Sequence, residues 1–194
     1  MLDFTQTTAL VVVDVQNDFA DPDGGLYVRG GESIVPTCNA HIVRSLAAGG
    51  LVVYTQDWHP ESTPHFQKDG GVWPVHCVAG TWGAELHPRL VIAGPTVRKG
   101  SNGEDGYSGF TMRDPESGET TATELDGLLR ARGIDRIVVV GLAFDVCVRA
   151  TALDAVAHGY ETVVDSGASA SVELEPGDGL RAADDLRDGG VTVL

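Results

Sequence analysis

Cysteine is scarce in this chain: Cys38, Cys77 and Cys147 are the only three among 194 residues. So small and odd a number argues against a disulfide framework. Long apolar runs are missing too, and none approaches the roughly 20 residues that a membrane span requires. The N-terminus carries Asp3 early and no basic stretch ahead of an apolar one, so no signal peptide is expected and the expected location is cytoplasmic. Positive charge is in short supply. Thirteen Lys and Arg face 28 Asp and Glu, a formal net charge of −15 that disfavours nucleic acid and anionic membrane as partners. What remains is a globular composition, 42% hydrophobic with 25 glycines spread along the chain, and a length that suits one domain over residues 1–194.

The stretch from Arg136 to Gly159 carries the densest signal. Ile137 to Val140 is a β-branched run that suits a buried parallel strand. After Gly141 the period changes: Val146, Ala150, Leu153 and Ala157 fall at helical spacing, with Asp145 as candidate N-cap and Gly159 as stop. Cys147 then lies in the first helical turn, where free N–H groups and the helix dipole favour a thiolate and can hold an oxyanion. A lone cysteine on a helix is more often a small buried hydrophobe, so this stretch needs company before it means chemistry.

The rest of the chain supplies it. Ala9 to Val13 reads as a first strand ending at Asp14, and a helix is expected from Ser33 to about Ala48, with Cys38 packing inside. Leu51 to Asp57 is a second strand running into Trp58-His59-Pro60, where Asp57 and His59 point the same way. A long irregular segment follows with His65, Trp73-Pro-Val-His76-Cys77 and His87, and its aromatics, with Trp58, Phe66 and Trp82, argue for order. Thr96 to Lys99 is a third strand. A helix over Thr123 to Arg132 leads into the strand at Arg136, and Tyr160–Val164 and Val191–Leu194 complete six strands, with a helix over Gly177–Arg187 between them. Alternating strands and helices predict a three-layer αβα sandwich around a six-stranded, mostly parallel sheet.

Ligand sites in such sheets gather beyond the carboxyl ends of the strands. Asp14, the Asp57/His59 pair, Lys99 and Cys147 all fall there. Each alone has a dull explanation as a cap, a surface lysine or a solvated histidine, but four on one rim are hard to assign to coincidence. Cys147, Asp14 and Lys99 make a nucleophile with a base and a cation. Asp57, His59 and His76, with His65 as a fourth donor, make a set that can hold a divalent ion and leaves zinc, iron and manganese open. His41, His87 and His158 lie off the rim and read as structural or solvated.

Taken together, Asp14-Val-Gln-Asn-Asp-Phe19, Asp57-Trp-His59, Trp73-Pro-Val-His76-Cys77, Lys99-Gly100, Gly106-Tyr-Ser-Gly-Phe110 and Gly141-Leu-Ala-Phe-Asp-Val-Cys147 resemble the motif set of bacterial nicotinamidase/pyrazinamidase. That family belongs to the isochorismatase-like cysteine hydrolases, and the resemblance runs from residue 8 to about 165. It implies an amidohydrolase of NAD salvage whose small-molecule substrate is nicotinamide, with pyrazinamide also accepted. It implies further that Asp14 takes the proton of Cys147 and that Lys99 tunes both. Backbone N–H groups of Ala143 and Cys147 would form the oxyanion hole beside a cis peptide at Leu142–Ala143. Phe19, Trp73 and Tyr107 would line the substrate pocket. One metal ion, zinc before iron or manganese, would be held by Asp57, His59 and His76; His65 matches a ligand in only some members. Cys77, beside a ligand, is not expected to be one.

Homo-oligomers are frequent in that superfamily, so self-association is an expectation by analogy alone. The rival within enzymes is a relative acting on a carbamoyl or ureido compound, against which the metal set argues. A lapsed, non-catalytic member is opposed by the intact Asp14/Lys99/Cys147 set, and a redox thiol by the lack of a C-x-x-C partner for Cys147.

Overall fold

The computed structural model describes residues 2–194. Thr8–Val13 forms β1, buried at every position. A short helix α1 (Asn17–Ala20) and the long α2 (Gly31–Ala47) lead to β2 (Leu51–Asp57). Thr96–Lys99 is β3, Thr111–Arg113 and Thr120–Ala122 are β4 and β5, and Leu125–Ala131 is α3. Then come β6 (Arg136–Leu142), a π-turn at Phe144–Val148, α4 (Arg149–Ala157), β7 (Glu161–Ala170), α5 (Asp178–Asp188) and β8 (Thr192–Val193).

Six strands form one sheet in the order β3-β2-β1-β6-β7-β8, and every neighbouring pair is parallel. Successive strand residues point to opposite faces, and both faces are covered. Leu10, Val12, Tyr54 and Val138 pack with Ile34, Val35 and Ile42 of α2. Ala9, Val11, Val53 and Val139 pack on the other face with Leu129 of α3, Ala152 of α4 and Leu186 of α5. This is the αβα sandwich expected from the alternation of strands and helices. The chain winds outward from β1 to β3, then restarts at β6 on the other side of β1. The order therefore reverses between β1 and β6, where such sheets leave a crevice at their carboxyl ends. No helix among the described residues is long and apolar enough to cross a membrane.

Several local expectations change. The helix expected from Ser33 begins at Gly31, with Pro36 inside it. The helix expected over Thr123–Arg132 is α3, which starts two residues later because the Thr123 amide is bonded to the Phe110 carbonyl, next to a small antiparallel ribbon of Thr120–Ala122 with Thr111–Arg113. The face of α4 is also different. Val148, Ala152 and Ala155 are fully buried, whereas Ala157 is exposed and Ala150 half-buried. Alanines occur on both sides of this helix, so hydropathy cannot set its phase. Of the aromatics in the long segment between β2 and β3, Phe66 and Trp73 are buried, but Trp82 is 49% exposed and does not help to order it by burial.

Candidate active site

Four strand ends meet at the crevice. Asp14 follows β1, Asp57 ends β2, Lys99 ends β3, and the π-turn bearing Cys147 follows β6. Lys99 is fully buried, and its ammonium is the hub: Nζ donates to Asp14 Oδ2 at 2.7 Å, to Asp57 Oδ1 at 2.5 Å and to the carbonyl of Gly106. All three of its protons are therefore used. Asp14 is held further by the Thr55 hydroxyl, which donates to Oδ1 at 2.6 Å. Gln16, unremarked in the sequence, clamps Asp57 by its backbone, accepting from its N–H at 2.9 Å and donating to its carbonyl at 2.8 Å.

Cys147 Sγ, a carboxylate oxygen of Asp14 and one of Asp57 lie within 4.8 Å of one another. Burial pushes Asp14 up to about 6 despite Lys99. Burial also works against ionised Asp57, but Lys99 and the neighbouring histidines outweigh it and hold that carboxyl well below its usual range. The Cys147 thiol is pushed well above its ordinary value, by burial first, with Lys99 opposing and Asp14 adding to the rise. Desolvation in a closed site works against whatever the start of a helix offers a thiolate, which leaves a proton for a neighbouring base to take.

Asp145 does not cap the helix. Ala143 occupies the position before the π-turn, and the Asp145 carboxylate instead accepts from the amides of Val172 and Glu173. A π-turn at this place suits a functional site. The Leu142–Ala143 peptide is cis.

Beside this group stand three buried imidazoles. His59, His65 and His76 bring ring nitrogens within 4.8 Å of one another, and Asp57 Oδ2 lies 3.8 Å from Nε2 of both His59 and His76. His76 Nδ1 pairs with the Pro74 carbonyl at 2.8 Å and His65 Nδ1 with Asp105 at 2.7 Å, which leaves Nε2 of each free to face inward. Asp105 was missed in the sequence; its position just ahead of Gly106-Tyr107 was the only signal. Among the described residues neither ring nitrogen of the fully buried His59 has a hydrogen-bond partner, and burial lowers its pKa, which favours the neutral imidazole. Two carboxylates against one ammonium also leave excess negative charge in a dry site. Orphaned neutral nitrogens beside an uncompensated carboxylate fit a divalent cation. Gly100, at φ +75°, allows the close approach of His59: a Cβ there would lie 2.6 Å from Nδ1. Cys77 is buried with its sulfur toward the Gly83 carbonyl and stands outside the donor cluster.

The cavity in front of these groups is narrow and largely apolar. Phe19, His65, Trp73, Tyr107, Ala143 and Cys147 line it, and Trp73 Nε1 donates to the Tyr107 hydroxyl at 2.9 Å across one wall. The structure thus brings together every residue singled out for chemistry in the sequence, His65 included. The histidines set aside lie elsewhere: His41 pairs with Asp165 at 2.7 Å, His87 is buried near Val15, and His158 stacks on Phe110.

A crevice of this kind, with a buried cysteine, carboxylate and lysine at the switch point of a parallel sheet, defines a class of cysteine hydrolase. Comparison with known proteins agrees. The model of the Isochorismatase domain matches residues 8–192. The nicotinamidase of Escherichia coli is 36% identical, over 95% of this chain and 93% of its own. Among solved structures, the pyrazinamidase of Pyrococcus horikoshii in complex with zinc superposes with a TM-score of 0.85 at 38% identity, over 97% of this chain and 98% of its own. PnC1 from L. infantum, in complex with nicotinate, gives 0.88 at 36%, over 100% and 95%. The chain belongs to the isochorismatase family, among its nicotinamidase/pyrazinamidase members.

Proposed function

We propose that this protein hydrolyses nicotinamide to nicotinate and ammonia through a thioester on Cys147, with pyrazinamide as a second substrate, in cytoplasmic NAD salvage. The observation that carries the reading is Lys99 bridging Asp14 and Asp57, so that the nucleophile's base and the metal-donor set share one wall of one cavity. The carboxamide carbon lies against Cys147 while the aromatic ring fills the space among Phe19, Trp73 and Tyr107. Asp14, ionised above about pH 6, takes the thiol proton as sulfur attacks that carbon. The carbonyl electrons move onto oxygen, held by the N–H groups of Ala143 and Cys147. Asp14 then gives its proton to the leaving nitrogen, the C–N bond breaks and ammonia departs. Water, giving a proton to Asp14, attacks the thioester; the C–S bond breaks and the sulfur takes that proton back.

Asp57, His59 and His76, with His65 beside them, would hold one divalent ion, zinc before iron or manganese. When bound, that ion supplies a Lewis acid for the pyridine nitrogen and fixes the ring's orientation. Through Lys99, Asp57 also sets the charge that Asp14 feels, so the two halves of the site work on one bound ring.

A carbamoyl or ureido substrate is the second reading. It has no ring nitrogen and gives the histidine cluster nothing to do. Ammonia release from nicotinamide and from a carbamoyl amino acid, by wild type and Cys147→Ala, separates the two. Release from nicotinamide alone, abolished in the variant, supports the proposal; release from the carbamoyl compound alone overturns it.

A further inference from the structure

Between β7 and α5 the chain runs from residue 171 to 177 without regular structure, and Val172 within it lines the cavity. Two carboxylates hold it. Asp145, 6% exposed and two residues before the nucleophile, accepts the amide of Val172 on Oδ1 and that of Glu173 on Oδ2, each at 2.9 Å. Glu173, itself at φ +53°, accepts the amides of Gly177 at 2.8 Å and Gly179 at 2.9 Å at the start of α5. The turn that carries Cys147 is thereby tied to the segment, and the segment to α5. Val172 lines the inner cavity with Val146, and Leu174, 65% exposed, lines the wider cleft outside it. A non-glycine residue in the left-handed region persists only when its surroundings hold it there, and here the holders are charge-assisted bonds.

We propose that Asp145 is a positioning residue for substrate binding, holding residues 171–177 as a strap that sets Val172 as one wall of the ring pocket. The substrate named here rests on the nicotinamidase reading; the strap does not. Asp145 acts through the strap's backbone, so its loss loosens the ring's seat while Asp14, Lys99 and Cys147 keep their places.

The test is Asp145→Asn in the full chain with metal bound, read by steady-state kinetics on nicotinamide and by amide hydrogen exchange. The amide that replaces one oxygen turns a donor toward a donor, so at least one clamp bond is lost. KM should rise on the order of tenfold with kcat changed less than about threefold. Exchange at Val172 and Glu173 should quicken while that of β1 and β6 stays as in wild type. Should kcat fall with KM and exchange at 172–173 unchanged, Asp145 serves the nucleophile's turn instead and the proposal is overturned. Glu173→Gln, remote from the nucleophile, decides the matter if Asp145→Asn does not fold. It should quicken exchange at Gly177 and Gly179 and raise KM in the same direction, and wild-type behaviour in both readouts overturns the strap. Wild-type protein that leaves nicotinamide untouched refutes the substrate reading, while the exchange data still decide whether the clamp exists.

Discussion

Replacing Lys99 by Met would leave Asp14 and Asp57 as two buried carboxylates without their shared cation. Met is unbranched and one heavy atom shorter than Lys, so the change removes the ammonium and its three hydrogen bonds with little loss of volume. Removing one partner of a buried ion pair costs about 3–5 kcal/mol. Lys99 has no solvent exposure and serves two partners, which puts the loss toward the upper end. That is a large part of the ~5–15 kcal/mol that holds a domain folded.

The loss also has a sign with pH. In wild type, Asp57 is held well below its usual range, so its contribution is present above the unfolded-state value and is lost as pH falls toward the folded one. In Lys99→Met, burial acts on both carboxylates without an ammonium to oppose it, and both values rise. The variant's deficit should be largest near neutrality and shrink as pH falls and the carboxylates take up protons. Guanidinium unfolding of metal-free wild type and variant at about pH 7.5 and about pH 5 measures it. A deficit under about 1 kcal/mol, or one that grows on acidification, would refute the reasoning.

Other expectations follow from the same geometry. Asp14→Asn should lower kcat about 10²–10⁴-fold. In wild type, kcat/KM should fall as pH drops through about 6, because protonated Asp14 cannot accept the thiol proton; a limb that persists unchanged in Asp14→Asn assigns it to another group. Asp105→Asn should weaken metal binding about 10–100-fold in a calorimetric titration, since the carboxylate on His65 Nδ1 orients the ring; unchanged affinity would remove His65 from the donor set.

The parallel sheet was legible because β-branched runs such as Val11 to Val13 and Ile137 to Val140 have few other uses, and the rim followed from where each run stopped. Asp57 and His59 could be paired because spacing along an extended chain fixes direction. What depended on tertiary approach was hidden. Nothing local says that the Lys99 ammonium, expected to serve Asp14 and Cys147, would also reach Asp57, or that Asp105, 40 residues from His65, would orient it. The burial of Cys147 was hidden for the same reason: a helix terminus shows in sequence, whereas the depth of burial that raises the thiol does not. Asp145 looked like a cap because caps are local, yet its partners lie 27 and 28 residues away. The β4–β5 ribbon escaped because strands of three exposed or half-buried residues have no hydrophobic alternation to read.

Ammonia release from nicotinamide, measured on wild type as purified, after chelation, and after restoring zinc, iron or manganese singly, tests the central claim most directly. Activity that chelation abolishes and one of the ions restores is the predicted result. Full activity after complete metal removal would contradict it, leaving the cysteine chemistry in place but taking from Asp57, His59 and His76 the role assigned to them.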